Sequence, residues 1–353
     1  MVITYHAGRR LQGTAAERTV SVDAIQGGWK ELSRTTLGSA GDTIDVSSLP
    51  DKRYYMVLSD VKASGFIIYN SRFNSDTGNN YAFRKSNNGG TDATTVSTSA
   101  IDQTDSGAQE ESFVVGYFAN KSDKEKLWQG HTVENSSTGA GFAPSRVEAV
   151  GKWANTSNAV SSYQAYNSHS GNYASGSEVV VLGYDPDDTH TDNFWEELAS
   201  VELSSTASEI DSGTFTAKKY LWVQGFANAV SATDIVLEFN SDTGNNYARR
   251  NSADGGTDTT ATSQPHADMG YGIGSNSHNK FFNSFIINNA SNEKLMINHV
   301  MHSGGAGAGN APSRNESVTK WANTSDQITQ IKFQAIDSSG FGSGSFIKIW
   351  GSN

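Results

Sequence analysis

The chain has 353 residues, 36% of them hydrophobic, no cysteine, and a formal net charge of -11. Lack of cysteine removes disulfides, thiolate metal sites and thiol nucleophiles together. The acidic balance argues against sequence-independent nucleic-acid binding, which needs clustered lysine and arginine. No stretch approaches the roughly 18 consecutive apolar residues of a membrane-spanning helix, and no apolar N-terminal run resembles a signal peptide. The expectation is a protein made in a cytoplasm, with neither membrane nor nucleic acid as partner.

Residues 1–28 have no counterpart later in the chain. Their run Thr4-Tyr5-His6-Ala7-Gly8-Arg9-Arg10 is locally basic in an acidic protein. Tyr5, His6, Arg9 and Arg10 are therefore candidates for an arm that docks on an acidic neighbouring subunit, the simpler alternative being a terminus without fixed structure.

From Trp29 onward the chain is written twice. Phe73-Asn74-Ser75-Asp76-Thr77-Gly78-Asn79-Asn80-Tyr81-Ala82 recurs letter for letter at Phe239 to Ala248, an offset of 166. The same offset lays Trp29 on Trp195, Tyr54 on Tyr220 and Gly89-Gly90-Thr91-Asp92 on Gly255-Gly256-Thr257-Asp258. Further on the offset becomes 168: Leu127 meets Leu295, Arg146 meets Arg314, and Lys152-Trp153-Ala154-Asn155 meets Lys320-Trp321-Ala322-Asn323. The boundaries that follow are a first domain at 29–184, an acidic linker at 185–192 (Asp185-Pro186-Asp187-Asp188-Thr189-His190-Thr191-Asp192), and a second domain at 193–353.

Within the first copy, Ile67, Tyr69 and Phe73 alternate onto one face, as do Ile235, Leu237 and Phe239 in the second. Further strands are expected at 54–58, 113–118, 126–133 and 178–182, and in the second copy at 220–224, 281–287, 295–301, 331–335 and 346–350. Seven or eight short strands per copy, with abundant Gly, Ser, Thr and Asn between them and no amphipathic helix, predict two tandem antiparallel β-sandwiches of jelly-roll type.

Chemistry-bearing candidates are few. The repeated Asn-Ser-Asp-Thr-Gly-Asn-Asn segment is rich in oxygen, but with Asp92 it offers only two carboxylates, so Asp76, Asp92, Asp242 and Asp258 are weak calcium candidates. A tight turn with Gly78 at positive φ is the simpler expectation. His131 and His299 occupy equivalent positions on apolar strands, each read as standing alone and hydrogen-bonded rather than ligating. Glu110-Glu111 and Glu196-Glu197 are the acidic pairs a glycosidase would need, but the first has no acidic equivalent in copy two. No HExxH, GxSxG or phosphate-binding loop is present, and the expectation is a protein that is not an enzyme. If a sugar is bound, Tyr81, Trp153, Tyr247 and Trp321 are the aromatic faces on which it would stack; as core residues they need no ligand.

Each copy closes on a strand, a Gly-aromatic step, a small-Gly-Ser turn and a last apolar strand. These are Gly171-Asn172-Tyr173-Ala174-Ser175-Gly176-Ser177-Glu178-Val179 and Gly340-Phe341-Gly342-Ser343-Gly344-Ser345-Phe346-Ile347. This ending, with the Phe-Asn-Ser-Asp-Thr-Gly-Asn-Asn-Tyr motif, resembles the jelly-roll structural proteins of tailed phages and related viruses, of the capsid-decoration, head-fibre or tail-fibre kind. The resemblance spans both copies but not the N-terminal arm. It implies a virion protein without enzymatic activity that assembles as a homo-oligomer, a trimer first, and contacts other virion proteins. The alternative it allows is a receptor- or carbohydrate-binding module displayed on the particle, with a host surface glycan as partner.

Overall fold

The computed structural model describes residues 25–26, 28–104, 110–186, 188–190, 192–228, 234–269, 279–336 and 340–353. Among these there is no α-helix, and every strand pairing is antiparallel. The chain forms two β-sandwiches of jelly-roll type, one per sequence repeat.

Each sandwich has a large and a small sheet in the same strand order. In the first, the large sheet runs Lys30–Thr36, Glu178–Tyr184, Tyr54–Ser64, Glu111–Ala119, Lys126–Asn135, Ser145–Trp153, Tyr81–Asn87, Ala93–Thr98. Its small sheet runs Thr43–Val46, Tyr163–Asn167, Tyr69–Phe73, Ile101–Asp102. The second sandwich repeats both, with Glu196–Glu202, Phe346–Ser352, Tyr220–Ala227, Lys280–Ile287, Lys294–His302, Ser313–Trp321, Tyr247–Ala253, Thr259–Gln264 as the large sheet. Tyr163–Asn167, Tyr81–Asn87 and Ser145–Trp153 are strands that periodicity had not marked in the first copy.

Alternation builds the cores. Tyr55, Val57 and Val61 point from the large sheet into the first sandwich, where they meet Tyr69, Phe73, Trp128, Trp153 and Tyr163. Leu221, Val223, Phe239, Phe282, Trp321 and Phe333 do the same in the second. The intervening residues point the other way, and here the molecule departs from a pair of independent domains. Met56, Leu58, Phe113, Val115, Val180 and Leu182 form a third buried cluster with Trp195, Tyr220, Phe285, Ile287, Leu295, Ile297 and Val318. The outer face of the first large sheet is thus packed on the outer face of the second.

The repeated decapeptide is a lock. Asp76 accepts hydrogen bonds from the Gly78 amide (2.8 Å), Asn80 Nδ2 (2.9 Å) and Trp153 Nε1 (2.7 Å), while the Phe73 amide donates to Tyr81 Oη (2.9 Å). Asp242 repeats this with Gly244, Asn246 and Trp321. Gly78 is not at positive φ as expected; that conformation falls on Asn74 (52°) and Ser75 (53°). Gly78 is needed because a Cβ there would stand 2.8 Å from Asn80 Nδ2 and 3.1 Å from Asp76 Oδ1.

Three carboxylates of the connector pair with the first sandwich. Asp188 pairs with Lys52 (2.6 Å), Asp185 with Arg53 (3.7 Å) and Asp192 with Lys30 (3.3 Å). Thr189–His190 also forms a two-residue ladder with Ile25–Gln26. The proposed arm residues Tyr5, His6, Arg9 and Arg10 lie outside the described residues.

Candidate functional site

The strongest feature is the contact between the repeats and its unmatched copy. On the second sandwich, Tyr220 (0% exposed), Leu295 (0%) and Val318 (3%) are buried against the first. The equivalent residues of the first sandwich are Tyr54 (42% exposed), Leu127 (60%) and Val150 (52%). Together with Trp29, Tyr117 and Tyr184 they line an open, mainly apolar groove of about 900 Å³. The polar residues follow suit. Lys320 and Glu293 form an ion pair (3.3 Å) that is fully enclosed, whereas their equivalents Lys152 and Glu125 pair at 2.9 Å in the open.

The contact is asymmetric: equivalent strands face each other at its centre, where His131 lies against His299, but to one side of that point only one copy of each position is covered. The covering surface on the first sandwich, Met56, Leu58, Phe113, Val115, Val180 and Leu182, has its own equivalents on the second: Trp222, Gln224, Phe281, Asn283, Lys348 and Trp350. All six are half-buried, and beside them lie the exposed Met301 and the stacked pair Phe226 and Phe346. Among the described residues, the chain thus carries one made contact, one uncovered groove and one partly covered face, on which Trp222 and Trp350 already pack against the buried cluster.

Charged pairs pin the contact that is made. Arg146 donates to Asp258 (Nη2 to Oδ1 2.8 Å), both nearly inaccessible, and Lys219 bridges Asp60 and Glu178 at 3.0 Å each. Asn289 donates to Glu111 (2.7 Å) and Asp60 (3.1 Å), and Tyr220 Oη to Glu178 (2.9 Å). Burial drives the Glu111 carboxyl well above the usual range, and the neighbouring Asp60 adds to it. For Lys219, burial pulls down but the two carboxylates outweigh it, so its ammonium is held above its ordinary value.

Several expected site residues have other roles. Tyr81, Trp153, Tyr247 and Trp321 are at most 1% exposed and pack in the two cores, so none can stack on a sugar. Asp76 and Asp242 spend their oxygens on turn amides and indole N–H groups, and Asp92 pairs with Arg84 at 3.3 Å on the surface. Asp258 is the Arg146 partner. None of the four belongs to a cluster of three donors fit for a metal among the described residues. The acids Glu110 and Glu111 do not act as a pair: Glu111 lies in the interface and Glu110 is exposed.

His131 and His299 are not solitary, contrary to the sequence reading. Each sits across its ladder from a glutamate, His131 from Glu148 and His299 from Glu316. The packing of the sheets brings the two imidazoles together edge to face, centroids 4.6 Å apart. Burial pushes both imidazoles down to about 4, with Arg146 adding to the effect on His131 and His131 to that on His299.

The interface itself had a sequence signal. Tyr55-Met56-Val57-Leu58, Phe113-Val114-Val115 and Val179-Val180-Val181-Leu182 are unbroken apolar runs, whereas a sandwich strand with one wet face alternates. Such runs mark burial on both faces.

No family model matches the chain, and no curated protein does. Among solved structures, the mouse laminin alpha1 chain, domains LG4-5, is 10% identical, aligning over 94% of this chain and 92% of its own at a TM-score of 0.20. The outer membrane enzyme PagL is 6% identical over 68% of this chain and 95% of its own, at 0.15. Overlap this slight carries no argument about function. The chain's own sheets define its class, an all-β protein of two tandem antiparallel sandwiches.

Proposed function

We propose that the chain is a non-enzymatic structural protein of a virus particle that assembles from copies of itself, a trimer being the expected count. One observation carries the assembly reading. The apolar groove around Tyr54, Leu127 and Val150 is the repeat equivalent of the surface the second sandwich buries against the first. The covering face around Phe281 and Met301 on another copy is suited to fill it. A contact between the groove of one chain and the second sandwich of the next joins two different surfaces, so it forms a ring where the rotation closes and a filament where it does not. The buried-side charges Asp60 and Glu178 are replaced on that free face by Phe226 and Phe346, so the contact between chains would be more apolar than the one within the chain. The particle setting rests on the resemblance of the closing hairpins to viral jelly-roll proteins, and the N-terminal arm is the segment proposed to attach the ring to other virion proteins.

Light scattering on the purified chain tests this directly. A single species at an integral multiple of 37.8 kDa is expected, three chains first. Leu127→Lys combined with Val150→Glu should reduce it to one chain with the β-sheet spectrum unchanged. A monomeric wild-type protein at tens of micromolar, or a variant that assembles normally, overturns the reading.

A further inference from the structure

We propose that the meeting point of the two sandwiches binds a divalent transition-metal ion, of which Zn²⁺ is the expected kind, through His131, Glu148 and His299. One donor atom from each of these side chains lies within 4.8 Å of the others, and they form the sole such group of three among the described residues. Two donors bound at 2.0–2.1 Å to a tetrahedral ion stand about 3.3 Å apart, so side-chain rotation of about an ångström closes the set. Two imidazoles and one carboxylate are a donor set for zinc, leaving a further position open.

The positions come from the register of two ladders. His131 and Glu148 are cross-strand neighbours on one sheet, and His299 arrives from the equivalent strand of the other. The ion would therefore join the two repeats. Glu316, the equivalent of Glu148, faces the same point, and a cavity of about 330 Å³ lined by Gln129, His131, Asn283, His299 and Glu316 gives access. Local charge permits a cation. Arg146 is paired with Glu148, Asp258 and Glu316, and Arg314 with Glu316, so three carboxylates face two guanidinium groups. A chain without cysteine has no disulfide across this contact, and an ion bound only by the folded form would add to the ion pairs that hold it.

The test uses the full chain after dialysis against EDTA, titrated with Zn²⁺ by calorimetry and with Co²⁺ by visible absorption. Saturation at one ion per chain, ligand-field bands of a four- or five-coordinate Co²⁺ site and a raised thermal midpoint are expected. Glu148→Gln, which preserves shape and both imidazoles, should weaken binding by roughly tenfold or more. The double variant His131→Gln/His299→Gln should abolish both the cobalt spectrum and the thermal shift. Lack of saturable binding by the wild type overturns the proposal. So does wild-type binding by both variants, which would assign the ion to donors elsewhere, His6 included.

Discussion

Tyr54 and Tyr220 hold the same place in the two repeats, yet Tyr54 is 42% exposed and Tyr220 is completely buried. Identical residues on equivalent strands have opposite environments because the contact between the sandwiches is asymmetric and covers only one of them. Substitutions at paired positions should therefore have unlike effects. Leu295→Lys places an ammonium in a closed apolar contact and is expected to cost at least about 3 kcal/mol in chemical denaturation. Leu127→Lys should change stability of the isolated chain by less than about 0.5 kcal/mol while weakening assembly. Equal losses from the two would show that the groove is already covered within the chain.

The Arg146–Asp258 pair allows a second internal comparison. Arg146→Ala leaves Asp258 buried without its cation and should cost about 3–5 kcal/mol. Asp92, the equivalent of Asp258, pairs with Arg84 at the surface, and Asp92→Asn should cost no more than about 1 kcal/mol. Urea melts of the two variants side by side decide the matter.

The turn locks carry a third prediction. Trp153→Phe removes the N–H that Asp76 accepts and leaves a small cavity in the core, at an expected cost of at least about 2 kcal/mol, and Trp321→Phe should match it. Far apart, the two losses should add. A Trp153→Phe variant as stable as wild type would mean that water replaces the indole at no cost.

Acid should act through the same carboxylates. Burial raises the pKa of Asp76 and Asp242, but the indole, asparagine and glycine donors outweigh it, leaving both below the ordinary value of 3.8. A group depressed in the folded state contributes stability that is present above its unfolded pKa and lost as pH falls through the folded one. Stability should thus decline below about pH 4, near the unfolded aspartate value. The double variant Asp76→Asn/Asp242→Asn should flatten part of that slope, and an unchanged slope would assign acid sensitivity to other carboxylates.

Deleting residues 1–24 retains the ladder of Ile25–Gln26 with Thr189–His190, so the melting temperature should hold while incorporation into particles is lost. Normal incorporation would remove the docking role from Tyr5, His6, Arg9 and Arg10.

The amino-acid sequence by itself determined that this is a duplicated all-β chain, and it marked part of each core, Ile67, Tyr69 and Phe73 in one copy and Ile235, Leu237 and Phe239 in the other. Those properties follow from local alternation and from the letter-for-letter repeat, both independent of long-range geometry. Strands such as Tyr163–Asn167 and Tyr81–Asn87 escaped because polar and charged residues dilute their alternation, and only pairing with neighbours fixes them. The apolar runs at 55–58 and 113–115 announced a second buried face without naming its partner. Tertiary structure alone decided that this partner is the other repeat, that the contact covers only one copy of each flanking position, and that His131 meets His299. The copies differ in sequence on this face, as at Val115 against Asn283 and Val180 against Lys348, but which surface each leaves uncovered depends on how two sheets distant along the chain pack in space.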